Sequence, residues 1–269
     1  MRFSHLALIG ALLLMFSSCR SIFSGKNRLE LVWADEFKDT DPPDGSKWNY
    51  DLGTGRNGWG NNEEQYYTDR PENVRQLNGR LFIEAHKEDY EGSGYTSARL
   101  VTRGKQSWGP GHRILVRAKL PSGRGTWPAI WTLGDNLPEV GWPLCGEIDI
   151  MEHVGYHPDS VFATVHTAVF NHVDNTQTTI GVAANDLETN FHDYGIDWYD
   201  DRIEFTFDGR IFYTFRKVDN ATEREWPFDK PQHLLLNLAV GGNWGGKKGI
   251  DDTIWPQRIE VDWVRVFKL

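Results

Sequence analysis

The 269-residue chain is poor in sulfur, with two cysteines, Cys19 and Cys145, and three methionines. Cys19 stands near the N-terminus, so Cys145 is the only cysteine inside the fold. An internal disulfide and a cysteine-based metal site are thereby excluded. Positive charge is also short: 29 lysines and arginines face 38 aspartates and glutamates, a formal net charge of −9. That balance argues against nucleic acid as a partner, because phosphate binding needs a basic surface. It also disfavours a heavily sulfated substrate. The longest apolar run, Leu6 to Phe16, is too short to span a bilayer. Beyond residue 30 there is no sustained 3.6-residue period, no internal repeat and no linker.

The N-terminus reads as an export signal. Arg2 supplies the positive start, the apolar run follows, and Phe16-Ser17-Ser18 leads into Cys19. Small residues before a lone cysteine resemble the bacterial lipoprotein signal, in which the cysteine becomes the lipidated first residue. The expectation is a signal over 1–18, a tether over 19–29 and one domain over 30–269. The protein would be exported and membrane-anchored through Cys19, periplasmic or at the cell surface. Ordinary cleavage nearby, leaving a free thiol, is the alternative.

What the sequence does have is period-2 alternation and tryptophan, 12 residues of it. Leu81, Ile83 and Ala85 alternate with Phe82, Glu84 and His86. Ile114, Val116, Ala118 and Leu120 alternate with Arg113, Leu115, Arg117 and Lys119. Val161, Ala163 and Val165 alternate with Phe162, Thr164 and His166. Asp208-Gly209 between two aromatic-rich runs is a hairpin signal. Leu234–Val240 reads as a buried strand and Ile259–Phe267 as the last one. Many short strands separated by Gly, Pro and Asn predict an all-β sandwich of two large antiparallel sheets. A curved sheet with a wet, aromatic-lined concave face would account for the outward-facing aromatics.

The most informative stretch is Gly146-Glu147-Ile148-Asp149-Ile150-Met151-Glu152-His153. On a strand, Glu147 and Asp149 share one face, with Ile148 and Ile150 on the other. Strict alternation would bury Glu152 among the isoleucines, where a lone carboxylate is prohibitively costly. One extra residue near Ile150-Met151, a β-bulge, returns Glu152 to the front. Three acids in a row suit a retaining glycosidase, whose two carboxyls stand about 5–5.5 Å apart. Their mutual repulsion keeps one acid protonated near neutral pH. A solvated acidic face or a Ca²⁺ site is the alternative.

The chain resembles glycoside hydrolase family 16, in its bacterial laminarinase-like endo-β-1,3-glucanase branch. Glu147, Asp149 and Glu152 match its bulged E-x-D-x-x-E motif. The similarity extends to Gly58-Trp59-Gly60-Asn61-Asn62-Glu63-Glu64-Gln65-Tyr66-Tyr67, to Thr126-Trp127-Pro128-Ala129-Ile130-Trp131, to Gly141-Trp142-Pro143, to Thr164-Val165-His166-Thr167 and to Gly241-Gly242-Asn243-Trp244-Gly245-Gly246. The resemblance implies a β-jelly-roll with a concave cleft. It implies Glu147 as nucleophile, Glu152 as acid/base, Asp149 as helper and His166 facing them from a neighbouring strand. No cofactor is expected for catalysis. A structural Ca²⁺ on the convex side would use Glu36, the Gly79 carbonyl and Asp262, oxygen ligands of the kind this ion takes.

Aromatic rings stack on the C–H faces of sugars, and amides and guanidinium groups bond their hydroxyls. Trp127, Trp131, Trp142 and Trp244 are candidate platforms, with Asn61, Gln65, Arg113 and Asn243 as hydroxyl partners. Trp48, Trp198 and Trp263 read as core. Trp127 and Trp131 share a face only if the strand stays regular across Pro128. The expected function is a monomeric, retaining endo-β-1,3-glucanase acting on a neutral β-glucan such as laminarin. A mixed-linkage glucanase, a marine galactanase of the same fold and a non-catalytic glycan-binding lipoprotein are the alternatives.

Overall fold

The computed structural model describes residues 29–38 and 41–269. The signal sequence, Cys19 and most of the tether lie outside the described residues. Two sheets pack face to face. The ten-stranded sheet runs Arg210–Arg216, Arg202–Phe207, His192–Trp198, His112–Lys119, Gln257–Lys268, Arg80–Tyr90, Ser93–Ser97, Gln65–Tyr67. Glu30–Asp35 pairs with Gln257–Lys268, and Val74–Leu77 with Arg80–Tyr90. The seven-stranded sheet runs Thr178–Ala183, Ser160–His166, Glu147–Glu152, Thr126–Gly134, Gln232–Val240, Arg99–Val101, Asn49–Tyr50. Pairing is antiparallel except between Gln65–Tyr67 and Ser93–Ser97, which run parallel. This is the expected all-β jelly-roll sandwich. Helix among the described residues amounts to one turn, Leu137–Val140, and a tight π-type turn at Gly58–Asn62.

Alternation sorts the side chains as the sequence predicts. Leu81, Ile83 and Ala85, then Ile114, Val116 and Ala118, face Ile148, Val161, Ala163, Val165, Leu234, Leu236 and Leu238 in one core. Burying these branched side chains on the inner face of each sheet is what holds the two layers together. The Asp208-Gly209 hairpin has positive φ at both residues, 48° and 74°, the two-residue turn whose twist matches its flanking strands. Trp48 and Trp198 are core residues, at 1% and 0% exposure. Trp263 is not. A register shift between Val261 and Trp263 turns it outward, where it lies half-buried under the Arg265 guanidinium, 4.2 Å from the ring centre.

Candidate active site

The bulge is where the acid row requires it. Opposite the strand Ser160–His166, Ile148 pairs with Val165 and Asp149 with Thr164, but Glu152 is the next to pair, with Phe162. Three steps on one strand therefore match two on the other. Opposite Thr126–Gly134 the register slips at the same place. Ile150 and Met151 both drop into the core, at 2% and 0% exposure, and Glu152 emerges beside Glu147 and Asp149. Gly146, φ 78°, turns the chain into this strand where a side chain would meet the Pro227 ring, 2.6 Å from its Cγ.

Each glutamate is held by an indole. Trp142 Nε1–H donates to Glu147 Oε2 (3.0 Å), and Trp127 Nε1–H donates to Glu152 Oε1 (3.0 Å). Thr164 donates to Glu152 Oε2 at 3.4 Å. His166 stands opposite Glu147 in the register. Its Nε2 lies 3.7 Å from Glu147 Oε1 and 3.4 Å from Asp149 Oδ2.

Charge is poorly compensated here. Burial, then the neighbouring Glu152, pushes Glu147 up to about 8. Burial pushes Glu152 up to about 7, against the Trp127 and Thr164 bonds that favour its ionised form. Asp149 rises well above its usual range through burial and both glutamates. The trio thus retains protons near neutral pH, which a general acid needs. Burial and nearby His172 push His166 down to about 3, so its imidazole is neutral at physiological pH. A neutral ring can orient a carboxyl group without cancelling its charge.

The tryptophans line the same face. The strand is regular across Pro128, so Trp127 and Trp131 both point to the acid side while Ile130 points to the core. Trp131 Nε1–H donates to Asn237 Oδ1 (2.7 Å). Trp244 meets Trp127 edge-to-face at 5.8 Å and Phe162 at 5.2 Å. Gly241 and Gly242, with φ 70° and 74°, make the turn that presents it. Asn243 joins the rim through its N–H to the Asn61 carbonyl (2.8 Å), and its Oδ1 accepts from Asn62 (2.9 Å).

Two expected hydroxyl partners are not available. Gln65 is fully buried. Its amide donates to Glu63 (2.7 Å) and its oxygen accepts from the Val240 N–H (2.7 Å), so both ends are used inside the protein. Arg113 lies on the outer face of the other sheet, paired through both its Nε and Nη2 with Asp197. Alternation had placed it off the core, but each of the two sheets has such a face.

Arg99 and Glu63 occupy the face instead. The Arg99 guanidinium lies 4.7 Å from both the Trp59 and Trp131 rings and 3.2 Å from Asp51. Glu63 accepts from Gln65 and Tyr67, and Tyr67 in turn accepts from Asn237 (3.1 Å). Asn237 was legible, since it alternates with Leu236 and Leu238. Arg99, on a three-residue strand, carries no periodic signal.

On the opposite side, the groups expected around calcium are engaged with cations. Arg265 donates to both oxygens of Glu36 (2.7 and 2.9 Å), and Arg117 lies 3.5 Å from Asp262. The Glu36 side chain is therefore not free for an ion.

The chain matches the sequence profile of Glycosyl hydrolases family 16 over residues 61–265. It is 52% identical over 246 residues to the beta-glucanase of Rhodothermus marinus, covering 89% of this chain and 85% of the relative. It is 36% identical over 255 residues to a glucan endo-1,3-beta-glucosidase of Cryptopygus antarcticus, covering 87% and 90%. The X-ray structure of the Rhodothermus marinus laminarinase superposes with a TM-score of 0.86 at 50% identity, over 90% of this chain and 98% of that one.

Proposed function

Because the chain belongs to glycosyl hydrolase family 16, we propose that it is an endo-β-1,3-glucanase acting by a retaining double displacement. The observation that carries this reading is the bulge that brings Glu147, Asp149 and Glu152 to one face, each glutamate fixed by its own indole donor. Glu147 is the nucleophile: with the proton that the acid cluster retains placed on Glu152, the ionised Glu147 bonds through its free oxygen to the anomeric carbon while Glu152 gives that proton to the departing glycosidic oxygen. Glu152 then takes a proton from water, which displaces Glu147 and restores both acids. Asp149 and His166 orient the nucleophile and spread its charge. Trp127, Trp131, Trp142 and Trp244 stack on sugar rings, Asn61, Asn243 and Glu63 bond their hydroxyls, and buried Arg99 backs the Trp59 and Trp131 rings.

The test is product profiling on laminarin, with the anomeric configuration of the first-formed ends read by NMR. A ladder of β-configured oligosaccharides supports the reading. Initial α-products would refute retention, and preferential cleavage of mixed-linkage glucan or of a galactan would move the substrate class.

Three finer readings accompany it. The protein is an exported lipoprotein anchored through Cys19, supported by the apolar run and the small residues before it; Cys19→Ser would release it from the membrane fraction. It acts as a monomer. A structural Ca²⁺ sits on the convex side at Glu36, the Gly79 carbonyl and Asp262. In that case a chelator lowers the melting temperature and added calcium restores it.

A further inference from the structure

One ligand atom each from Glu147, Asp149 and His166 lie within 4.8 Å of one another. The His166 Nε2 contacts are 3.4 Å to Asp149 Oδ2 and 3.7 Å to Glu147 Oε1, and an ion would have to draw Glu147 Oε1 inward to reach the edges of a coordination tetrahedron. With bonds of about 2.0–2.2 Å to nitrogen and oxygen, those edges measure roughly 3.3–3.5 Å. Among the described residues, Asp149 Oδ2 accepts no hydrogen bond, although its side chain is only 5% exposed. A buried carboxylate oxygen without a partner is rare in folded proteins and asks for one. Glu147 is held by Trp142 through Oε2, which leaves Oε1 toward His166 without that tether. Glu152, held by Trp127 and Thr164, stands outside the set.

We propose that Glu147, Asp149 and His166 form a binding site for a zinc-type divalent transition ion, with the fourth coordination position open to the substrate face. One imidazole and two carboxylates are donors that zinc accepts in four-coordinate sites. Calcium and magnesium take six or more oxygens, and this set offers two with a nitrogen. An ion here replaces carboxylate repulsion with attraction. It also takes up the oxygen that would attack the sugar, so ion and substrate exclude each other. Ion binding itself follows from the geometry alone; only its competition with substrate rests on the function proposed above.

The full chain is titrated with Co²⁺, read by visible absorption, and with Zn²⁺, read by calorimetry. One ion per chain, with the intense absorption of four-coordinate cobalt, is expected. His166→Asn and Asp149→Asn each weaken binding at least about tenfold, since each removes one of three protein ligands. Melting curves of both variants establish that they fold. A chain that binds neither ion, or variants that bind as tightly as the parent, overturns the site and leaves the glycosidase reading untouched. A parent that binds zinc tightly yet hydrolyses laminarin at full rate with the ion bound would instead overturn the assignment of Glu147 as nucleophile.

Discussion

The outer faces of the two sheets both carry rows of charged residues and treat them in opposite ways. On the ten-stranded sheet acids meet cations: Asp197 with Arg113, Asp193 with Arg117 (2.7 Å), Glu260 with Lys119 (2.9 Å), Glu84 with Arg75 (2.7 Å) and Glu36 with Arg265. The Arg265 bond holds the Glu36 carboxyl below its usual range. On the seven-stranded sheet the acids meet indoles, a threonine and a neutral imidazole, and all three are pushed upward. The same side-chain type is thus a structural ion pair on one surface and a proton-holding acid on the other. What differs is whether a full positive charge is bonded directly to the carboxyl: Arg265 and Arg113 donate to their acids, whereas Arg99 acts on Glu147 only through space and is outweighed by burial and Glu152.

The contrast is broken most severely by removing an acid from the uncompensated face. Glu147→Gln and Glu152→Gln should each lower kcat on laminarin about 10³-fold or more, with polysaccharide binding retained. Added azide should rescue the two differently. The Glu152 variant should yield a β-glycosyl azide by attack on the covalent intermediate, and the Glu147 variant an α-azide by direct attack. Full activity in either purified variant would end the assignment.

An intermediate effect separates the two arginines. Arg99→Ala should lower kcat/KM about ten- to a hundredfold by loosening the Trp59 and Trp131 rings it lies against, with kcat less affected than KM. Arg113→Ala should leave kcat/KM within about twofold. It should cost stability, roughly 2–3 kcal/mol, by leaving the buried Asp197 carboxylate without its cation. Equal losses of activity in both would mean that the two faces are not functionally distinct.

The smallest effect is a pH dependence of stability. The unfolded chain releases its glutamate protons near pH 4.5, whereas the folded chain holds those of Glu152 to about 7 and of Glu147 to about 8. Between these limits the native state binds more protons. The stabilisation is therefore full below about pH 4.5 and is lost as pH rises through about 8. Glu147→Gln should melt above the parent at pH 8, by roughly 3–6 °C, with the gap closing toward pH 4.5. A gap of equal size at both pH values would show that ionisation is not its source.

Much of this site was legible because strand parity is unforgiving. A carboxylate at position 152 among buried isoleucines is so costly that a bulge could be inferred before any coordinates, and the register shift after Asp149 is that bulge. The Trp127 and Trp131 question turned on the same rule, and the strand stays regular across Pro128. Parity misled where it says too little. It tells which side of its own strand Arg113 occupies, but not which of two outer faces that side belongs to. Gln65 and Arg99 sit on three-residue strands, too short for a period to speak.

The sequence by itself determined the alternation, the turns and the acid row, because these are properties of neighbours along the chain and of the cost of burying charge. Only the tertiary structure decided which charges find partners. Pairing joins residues such as Arg113 with Asp197 and Trp127 with Glu152, 84 and 25 positions apart. Long-range contacts of this kind follow from how the sheets are strung and stacked, which no local pattern encodes.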